Sequence, residues 1–98
     1  MKTITPSEVA KKLAEGQALS LIDVREPEEI ASGKISTAKE IPLGTLPENL
    51  NELDKDKEYI MVCRSGNRSG QATQYLEEQG FQAVNMEGGM LAWDGPIE

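Results

Sequence analysis

The chain has 98 residues, of which 38% are hydrophobic and 28% are charged. A chain of this length supports one small hydrophobic core, so we expect one domain over residues 1–98. Its 17 acidic and 10 basic residues give a net charge of −7, which disfavours a nucleic acid as partner. No stretch resembles a signal peptide or a membrane span, so we expect a cytoplasmic protein without a membrane partner.

The first half of the chain predicts a helix, two strands and two short helical segments. Thr5, Pro6 and Glu8 form a capping-box pattern at the start of the first helix, which should end near Gly16. The later elements are a strand at 19–24, a short helix starting near Pro27, a short strand within 38–43 and helical turns at 46–53.

The second half contains the most apolar strand, at 58–63, which we expect to be central. It is followed by a helix at 68–79, a strand at 82–86 and a glycine turn into a short helix within 87–93. Strands that alternate with helices predict an α/β domain whose central, mainly parallel sheet has about five strands flanked by helices. Asp23 and Cys63 lie at the carboxyl ends of predicted strands, so we expect both on one face of the molecule.

Cys63 is the only cysteine, and the chain has no histidine. A single cysteine cannot form an internal disulfide, which suits a reduced and chemically active thiol. The absence of histidine excludes Ser-His and Cys-His activation and leaves too few soft ligands for zinc, so we expect neither a metal nor a cofactor. If Cys63 is a nucleophile, its activation must be electrostatic.

The loop after Cys63 has the composition of an anion-binding nest at a helix N-terminus. Its residues are Arg64, Ser65, Gly66, Asn67, Arg68 and Ser69. Glycine permits the curvature, the serines add hydroxyl donors, and either arginine can hold an incoming anion. Such surroundings lower a thiol pKa and favour the thiolate. The competing interpretation, a cysteine that merely ends a buried strand, does not account for this order of strand, cysteine, nest and helix. A nucleotide-binding loop is disfavoured because "SGNRSG" lacks the required spacing and lysine.

Three motifs resemble the rhodanese family of sulfurtransferases: "LIDVREPEEIASGKI" at 21–35, "VCRSGNRS" at 62–69 and "GGMLAW" at 88–93. The resemblance implies a single rhodanese-like domain in which Cys63 takes up a sulfane sulfur as a persulfide. It also implies that the amides of residues 64–69 hold the terminal sulfur. Asp23 and Arg25 match the "DVR" of the family, and we expect them to order the loop more than to contact substrate.

Several residues outside the loop have predicted structural roles. Lys34 stands where many relatives have histidine, and we expect it to alter local packing or partner contact. Trp93 is predicted to pack in the core beside the glycine turn. Glu26, Glu28 and Glu29 are predicted to form a solvated acidic face.

The resemblance implies a thiosulfate sulfurtransferase that works by double displacement. Its partners would be a small anionic sulfur donor and a thiol or cyanide acceptor, with protein donors or acceptors as a further option. Only four residues separate Cys63 from Arg68, whereas related phosphatases have five, and the shorter loop favours one sulfur atom over a phosphate. The alternatives are a persulfide carrier that acts with protein partners and, less favoured, a phosphatase or arsenate reductase.

Overall fold

Five parallel strands form one sheet in the computed structural model, which describes residues 1–98. The strands are β1 (Lys2–Ile4), β2 (Ser20–Asp23), β3 (Lys39–Glu40), β4 (Glu58–Val62) and β5 (Gln82–Met86). Their order in the sheet is β1-β5-β4-β2-β3, and each neighbouring pair is parallel. The predicted α/β class and the central position of β4 are therefore confirmed.

Three α-helices and one 3₁₀ helix connect the strands, and a second 3₁₀ helix follows β5. The α-helices are α1 (Pro6–Ala14), α2 (Pro27–Ile30) and α3 (Asn67–Glu78), and the 3₁₀ helices are Leu43–Glu52 and Gly89–Ala92. The predicted capping box is present, because the Glu8 amide donates to Thr5 Oγ1 and the Thr5 amide donates to Glu8 Oε1, each at 3.1 Å. None of the helices combines the length and apolar character that crossing a membrane requires.

Strand β1 is the element that the sequence analysis did not place. It has three residues with a mostly exposed burial pattern, so it carries no apolar run that distinguishes a strand from a loop. Its stability comes from pairing with β5, where Lys2 lies beside Val84 and Ile4 beside Met86. The predicted number of about five strands is confirmed, with the fifth at the edge of the sheet.

The hydrophobic core lies on both faces of the sheet. Alternate residues of β4 point to opposite faces, as the pleat of a strand requires. Tyr59 and Met61 belong to a cluster with Leu76 of α3, whereas Ile60 and Val62 belong to a second cluster with Val9 of α1. Because both faces of the sheet are covered, a site is expected in the loops at the carboxyl edge of the strands.

Candidate active site

The candidate site lies at the carboxyl edge of the sheet, where β2, β4 and β5 end side by side. Asp23 at the end of β2 is in register with Val62, the residue before Cys63. Asn85 of β5 is in register with Met61. Asp23 and Cys63 therefore lie at the same edge, as predicted.

The Cys63 thiol is fully buried and is surrounded by hydrogen-bond donors from the following loop. The Gly66 amide donates to Sγ at 3.0 Å, and Ser69 Oγ lies 3.2 Å from Sγ. Burial raises the pKa of the Cys63 thiol, but the Ser69 hydroxyl and three loop amides outweigh burial, so the pKa lies below its ordinary value. The three amides belong to Ser65, Gly66 and Ser69. This environment favours a thiolate.

Gly66 makes the turn that brings these amides to the sulfur. It is the N-cap of α3 and has a φ of 101°, a left-handed conformation that side chains with a Cβ disfavour. A Cβ on Gly66 would also lie 3.1 Å from the Gly88 amide nitrogen. The left-handed conformation lets the chain reverse within the few residues between Cys63 and the helix N-terminus, and the missing side chain lets the Gly88 backbone approach. The partial positive charge of the helix N-terminus adds to the field at the sulfur.

Arg68 forms an ion pair with Glu29 that connects α3 to α2. Nη1 and Nη2 of Arg68 donate to the two carboxylate oxygens of Glu29, each at 2.7 Å. Hydrogen bonds from Arg68 lower the pKa of Glu29 to about 2. The prediction that Glu29 belongs to a solvated acidic face is therefore wrong, although Glu26 and Glu28 are exposed. The cause is a tertiary contact between residues 39 positions apart, which no local pattern indicates.

We expect the Glu29→Gln substitution to lower the free energy of unfolding at neutral pH by about 1 kcal/mol, because it removes the charge that pairs with Arg68. The folded-state pKa of Glu29 is about 2 and the ordinary value is 4.5. The ion pair's contribution is thus complete above pH 4.5 and is lost as pH falls through about 2. Urea unfolding at several pH values should show the curves of the wild type and the Glu29→Gln variant converging in acid.

The control for this comparison is Glu28→Gln, which removes an exposed carboxylate with no ion pair. It should leave the free energy of unfolding nearly unchanged at every pH. A Glu29→Gln deficit of the same size in acid and at neutrality would contradict the role of the ion pair.

Asp23 and Arg25 form a buried ion pair beside the loop. Arg25 Nη2 donates to Asp23 Oδ2 at 2.8 Å and to the Gly33 carbonyl at 2.9 Å. Arg25 Nη1 donates to the Glu29 carbonyl at 3.3 Å. These contacts engage the guanidinium with groups of the protein itself, and the loop-ordering role of the pair stays a prediction.

Arg64 differs from the other two arginines because it is exposed and forms no ion pair. It lines a depression of about 220 Å³ at the site. The other lining residues are Arg25, Glu29, Ser32, Met90 and Leu91. Of the remaining loop residues, Ser65 and Asn67 are exposed and Ser69 is buried.

The third motif supports the loop from the other side. The Met90 amide donates to the Cys63 carbonyl at 2.9 Å, and the Leu91 amide donates to the Arg64 carbonyl at 3.0 Å. Gly89 has a φ of 58°, and a Cβ there would lie 2.5 Å from the backbone of Cys63 and Arg64. The double glycine therefore allows the two segments to pack backbone against backbone.

Trp93 and Lys34, which have predicted structural roles, do not line the depression beside Arg64. Trp93 is half-buried, packs against the cluster around Val9 and donates to the Pro96 carbonyl at 3.1 Å. Lys34 Nζ contacts the Ala38 carbonyl and pairs with Glu40 at 3.0 Å. The Lys34 contacts are local, and its predicted effect on packing or partner contact stays a prediction.

Asn85 is a site residue that the sequence motifs did not identify. Its Nδ2 donates to the Gly66 carbonyl at 3.2 Å, and its Oδ1 accepts the Ser69 hydroxyl. The one signal in the sequence was a polar residue in the otherwise apolar end of the strand "QAVNM", and the structure shows that this residue is buried. A buried amide side chain needs partners, and here the partners belong to the thiol loop.

Comparison with known proteins extends the motif resemblance to the length of the chain. Residues 5–95 match the family model of the Rhodanese-like domain. YtwF of Bacillus subtilis is 50% identical over 95 residues, which cover 97% of this chain and 92% of that protein. An Allochromatium vinosum protein named sulfurtransferase is 38% identical, over 92% of this chain and 85% of its own length. The crystal structure of a Rhodanese-like domain protein from Staphylococcus aureus has a TM-score of 0.95 at 46% identity, covering 100% of this chain and 97% of that chain.

Proposed function

The chain belongs to the Rhodanese-like domain family, and from this premise we propose that it is a sulfurtransferase that carries sulfane sulfur on Cys63. The observation that carries the proposal is the environment of Sγ. A buried thiol receives the Gly66 amide and lies within hydrogen-bond distance of Ser69. Its lowered pKa supplies the thiolate without a histidine base.

The proposed reaction has two displacements on sulfur. The Cys63 thiolate attacks the outer sulfur of thiosulfate, a new S–S bond forms, and sulfite leaves with the electron pair of the broken bond. Cys63 then carries a persulfide anion. An acceptor such as cyanide or a thiolate attacks the outer sulfur, and the Cys63 thiolate leaves. Loop amides that face Sγ stabilise the negative charge in both steps, in the manner of an oxyanion hole.

This scheme predicts ping-pong kinetics, because the donor product leaves before the acceptor reacts. Initial rates measured over a grid of thiosulfate and cyanide concentrations should give parallel double-reciprocal lines. Intersecting lines would show that donor and acceptor bind together and would contradict the persulfide intermediate as an obligatory step.

Loop length supports sulfur over phosphate as the transferred group. Four residues lie between Cys63 and Arg68, and the amides of Ser65, Gly66 and Ser69 converge on one buried sulfur atom. A phosphoryl group needs donors for three equatorial oxygens. A phosphatase is therefore the less favoured activity for this loop.

Arg64 is the arginine that we propose as the contact for an anionic donor. Arg25 and Arg68 are each paired with a carboxylate, so their charges are already compensated. Arg64 is exposed beside Cys63 on a protein with a net charge of −7. An uncompensated guanidinium offers paired donors that match a sulfonate-like group and offsets the repulsion of a dianion.

We expect Arg64→Gln to raise the KM for thiosulfate about tenfold, because a hydrogen bond to a charged group is lost, with a smaller change in kcat. The matched control is Lys57→Gln, which removes the same charge from an exposed turn residue without an ion pair. Steady-state kinetics at fixed ionic strength make the comparison. An equal KM increase in both variants would indicate a general charge effect and contradict a contact by Arg64.

The physiological acceptor is proposed to be a thiol, on a small molecule or on a protein. The depression beside Arg64 also contains Met90 and Leu91, and Leu91 is 65% exposed. A protein partner that docks over the loop would cover this leucine. Under the carrier alternative, Cys63 is loaded quickly by a protein persulfide donor and slowly by thiosulfate. Measuring the loading rate with each donor therefore distinguishes a carrier from an enzyme that uses small donors.

A further inference from the structure

The single hydroxyl proton of Ser69 has two possible acceptors. Ser69 Oγ lies 3.2 Å from Cys63 Sγ and donates to Asn85 Oδ1. Cys63 and Ser69 are fully buried, and Asn85 is 7% exposed. With little access for water, the direction of this proton depends on the two neighbouring side chains.

The orientation of the Asn85 amide is fixed by the Gly66 carbonyl. Nδ2 donates to that carbonyl at 3.2 Å, so Oδ1 must face Ser69. A flipped amide would lose this hydrogen bond and place its oxygen against the Gly66 carbonyl oxygen, so that two acceptors would face each other. Asn85 therefore offers Ser69 an acceptor and no donor.

The charge on the sulfur decides which acceptor receives the proton. When Cys63 is a thiol, its S–H donates to Ser69 Oγ and the Ser69 hydroxyl donates to Asn85. Each of these three side chains then has a hydrogen-bond partner. When Cys63 is a thiolate, Sγ has no proton and can only accept. The Ser69 hydroxyl then stabilises the thiolate only by turning away from Asn85 Oδ1.

We infer that Asn85 is a positioning residue that holds the Ser69 hydroxyl while Sγ is uncharged and competes for it with the thiolate. Its part in the reaction rests on the proposed function. In a persulfide the negative charge lies mainly on the outer sulfur, so the inner sulfur no longer requires the hydroxyl, which returns to Asn85. Asn85 thereby favours the loaded state relative to the free thiolate and keeps that thiolate reactive.

The charged groups around the loop stay the same when Asn85 is changed. They are Arg64 in the loop, Arg68 on α3 with its partner Glu29 on α2, the Asp23–Arg25 pair at the end of β2, Glu26 near Arg68, and Glu87, whose backbone lies near Gly66. Arg68 interacts electrostatically with Cys63. Because Asn85 is uncharged, replacing it with an apolar residue changes no charge near Cys63. Any change in the Cys63 pKa then reports on the Ser69 hydroxyl.

The test is the pKa of Cys63, measured from the ultraviolet absorbance of the thiolate in the reduced protein. We expect Asn85→Ala to increase the ionisation constant of Cys63 roughly tenfold, which lowers the pKa, because the hydroxyl is released to the sulfur. Ser69→Ala should raise the pKa. In the Ser69→Ala background, Asn85→Ala should have no further effect, since the group through which it acts is absent.

Asn85→Leu is the second variant, for use if the alanine variant does not fold. It removes the acceptor and keeps most of the side-chain volume. The Gly66 carbonyl keeps a donor in both variants, the Gly70 amide at 3.0 Å. At a pH where wild type and variant are fully ionised, the variant thiolate should be loaded by thiosulfate about threefold more slowly, as expected for a less basic nucleophile.

A pKa that rises or stays unchanged in the Asn85 variants would overturn the inference and leave Asn85 as a support of the loop. An equal effect with and without the Ser69 hydroxyl would overturn it as well. The titration needs no sulfur donor, so its failure is distinct from failure of the proposed function, which would appear as an absence of sulfur loading in the wild type.

Discussion

The Cys63→Ser variant is expected to gain no sulfur from thiosulfate, whereas the reduced wild-type protein gains the mass of one sulfur atom. Cys63 is the only thiol in the chain, so no other side chain can form a persulfide. A serine hydroxyl in the same place is not ionised near neutrality and does not attack a sulfane sulfur. We therefore expect the loss of loading to be complete.

The measurement is the intact mass after incubation with thiosulfate and removal of small molecules. Cyanide treatment should then return the wild-type mass to its starting value. Serine is nearly isosteric with cysteine and can still contact Ser69 and the Gly66 amide, so we expect the variant to remain folded, as circular dichroism can check. A serine variant that still gains sulfur would contradict the assignment of Cys63 as the residue that carries the sulfur.

An unloaded wild-type protein would instead exclude thiosulfate as the donor under those conditions. The same mass measurement with a protein persulfide donor would then distinguish the two proposed roles. Loading from the protein donor alone would favour the carrier function. No loading from either donor would contradict a sulfurtransferase function altogether.

The sequence was most informative where local pattern and chemistry coincide. The apolar strand 58–63, the small residues after Cys63 and the amphipathic helix beyond them are all adjacent in the chain, so their order predicts the local geometry. The structure places Gly66 at the turn and its amide on the sulfur. Local sequence determines this part of the candidate site because the donors are backbone groups within a few residues of Cys63.

The parts that could not be predicted depend on contacts between distant residues. Glu29 is 39 positions from Arg68, and its surroundings in the sequence are acidic and exposed. Asn85 lies on a different strand from Cys63 and reaches the loop only because β5 is paired with β4. Strand β1 is likewise formed by its pairing with β5. Pairing and packing, which are tertiary effects, override weak local signals in each case.

The Gly89→Ala substitution is expected to impair both stability and sulfur loading. Its Cβ would lie 2.5 Å from the Cys63 carbonyl oxygen and from the Arg64 carbonyl group, and these are backbone atoms that cannot rotate away. Either the third motif or the thiol loop must move. We expect the free energy of unfolding to fall by about 2–4 kcal/mol, as for other overpacked or strained sites.

Gly16→Ala provides a control that separates backbone conformation from steric contact. Gly16 has a φ of 83°, and a Cβ added there would meet no atom within 4 Å, so alanine incurs only the left-handed conformational penalty of about 1–2 kcal/mol. We expect normal loading in Gly16→Ala and loading at least about tenfold slower in Gly89→Ala, because a shift of the loop amides weakens their hydrogen bonds to the sulfur.

Urea unfolding and the rate of mass gain from thiosulfate, measured on both variants, test this difference. Equal destabilisation with normal loading in both would mean that the loop tolerates displacement at Gly89. A selective loss of loading in Gly89→Ala would instead assign the double glycine a function in the chemistry, because the close approach that it permits holds the Cys63 and Arg64 carbonyls on the Met90 and Leu91 amides. The loop amides could then face the sulfur only while that backbone contact is intact.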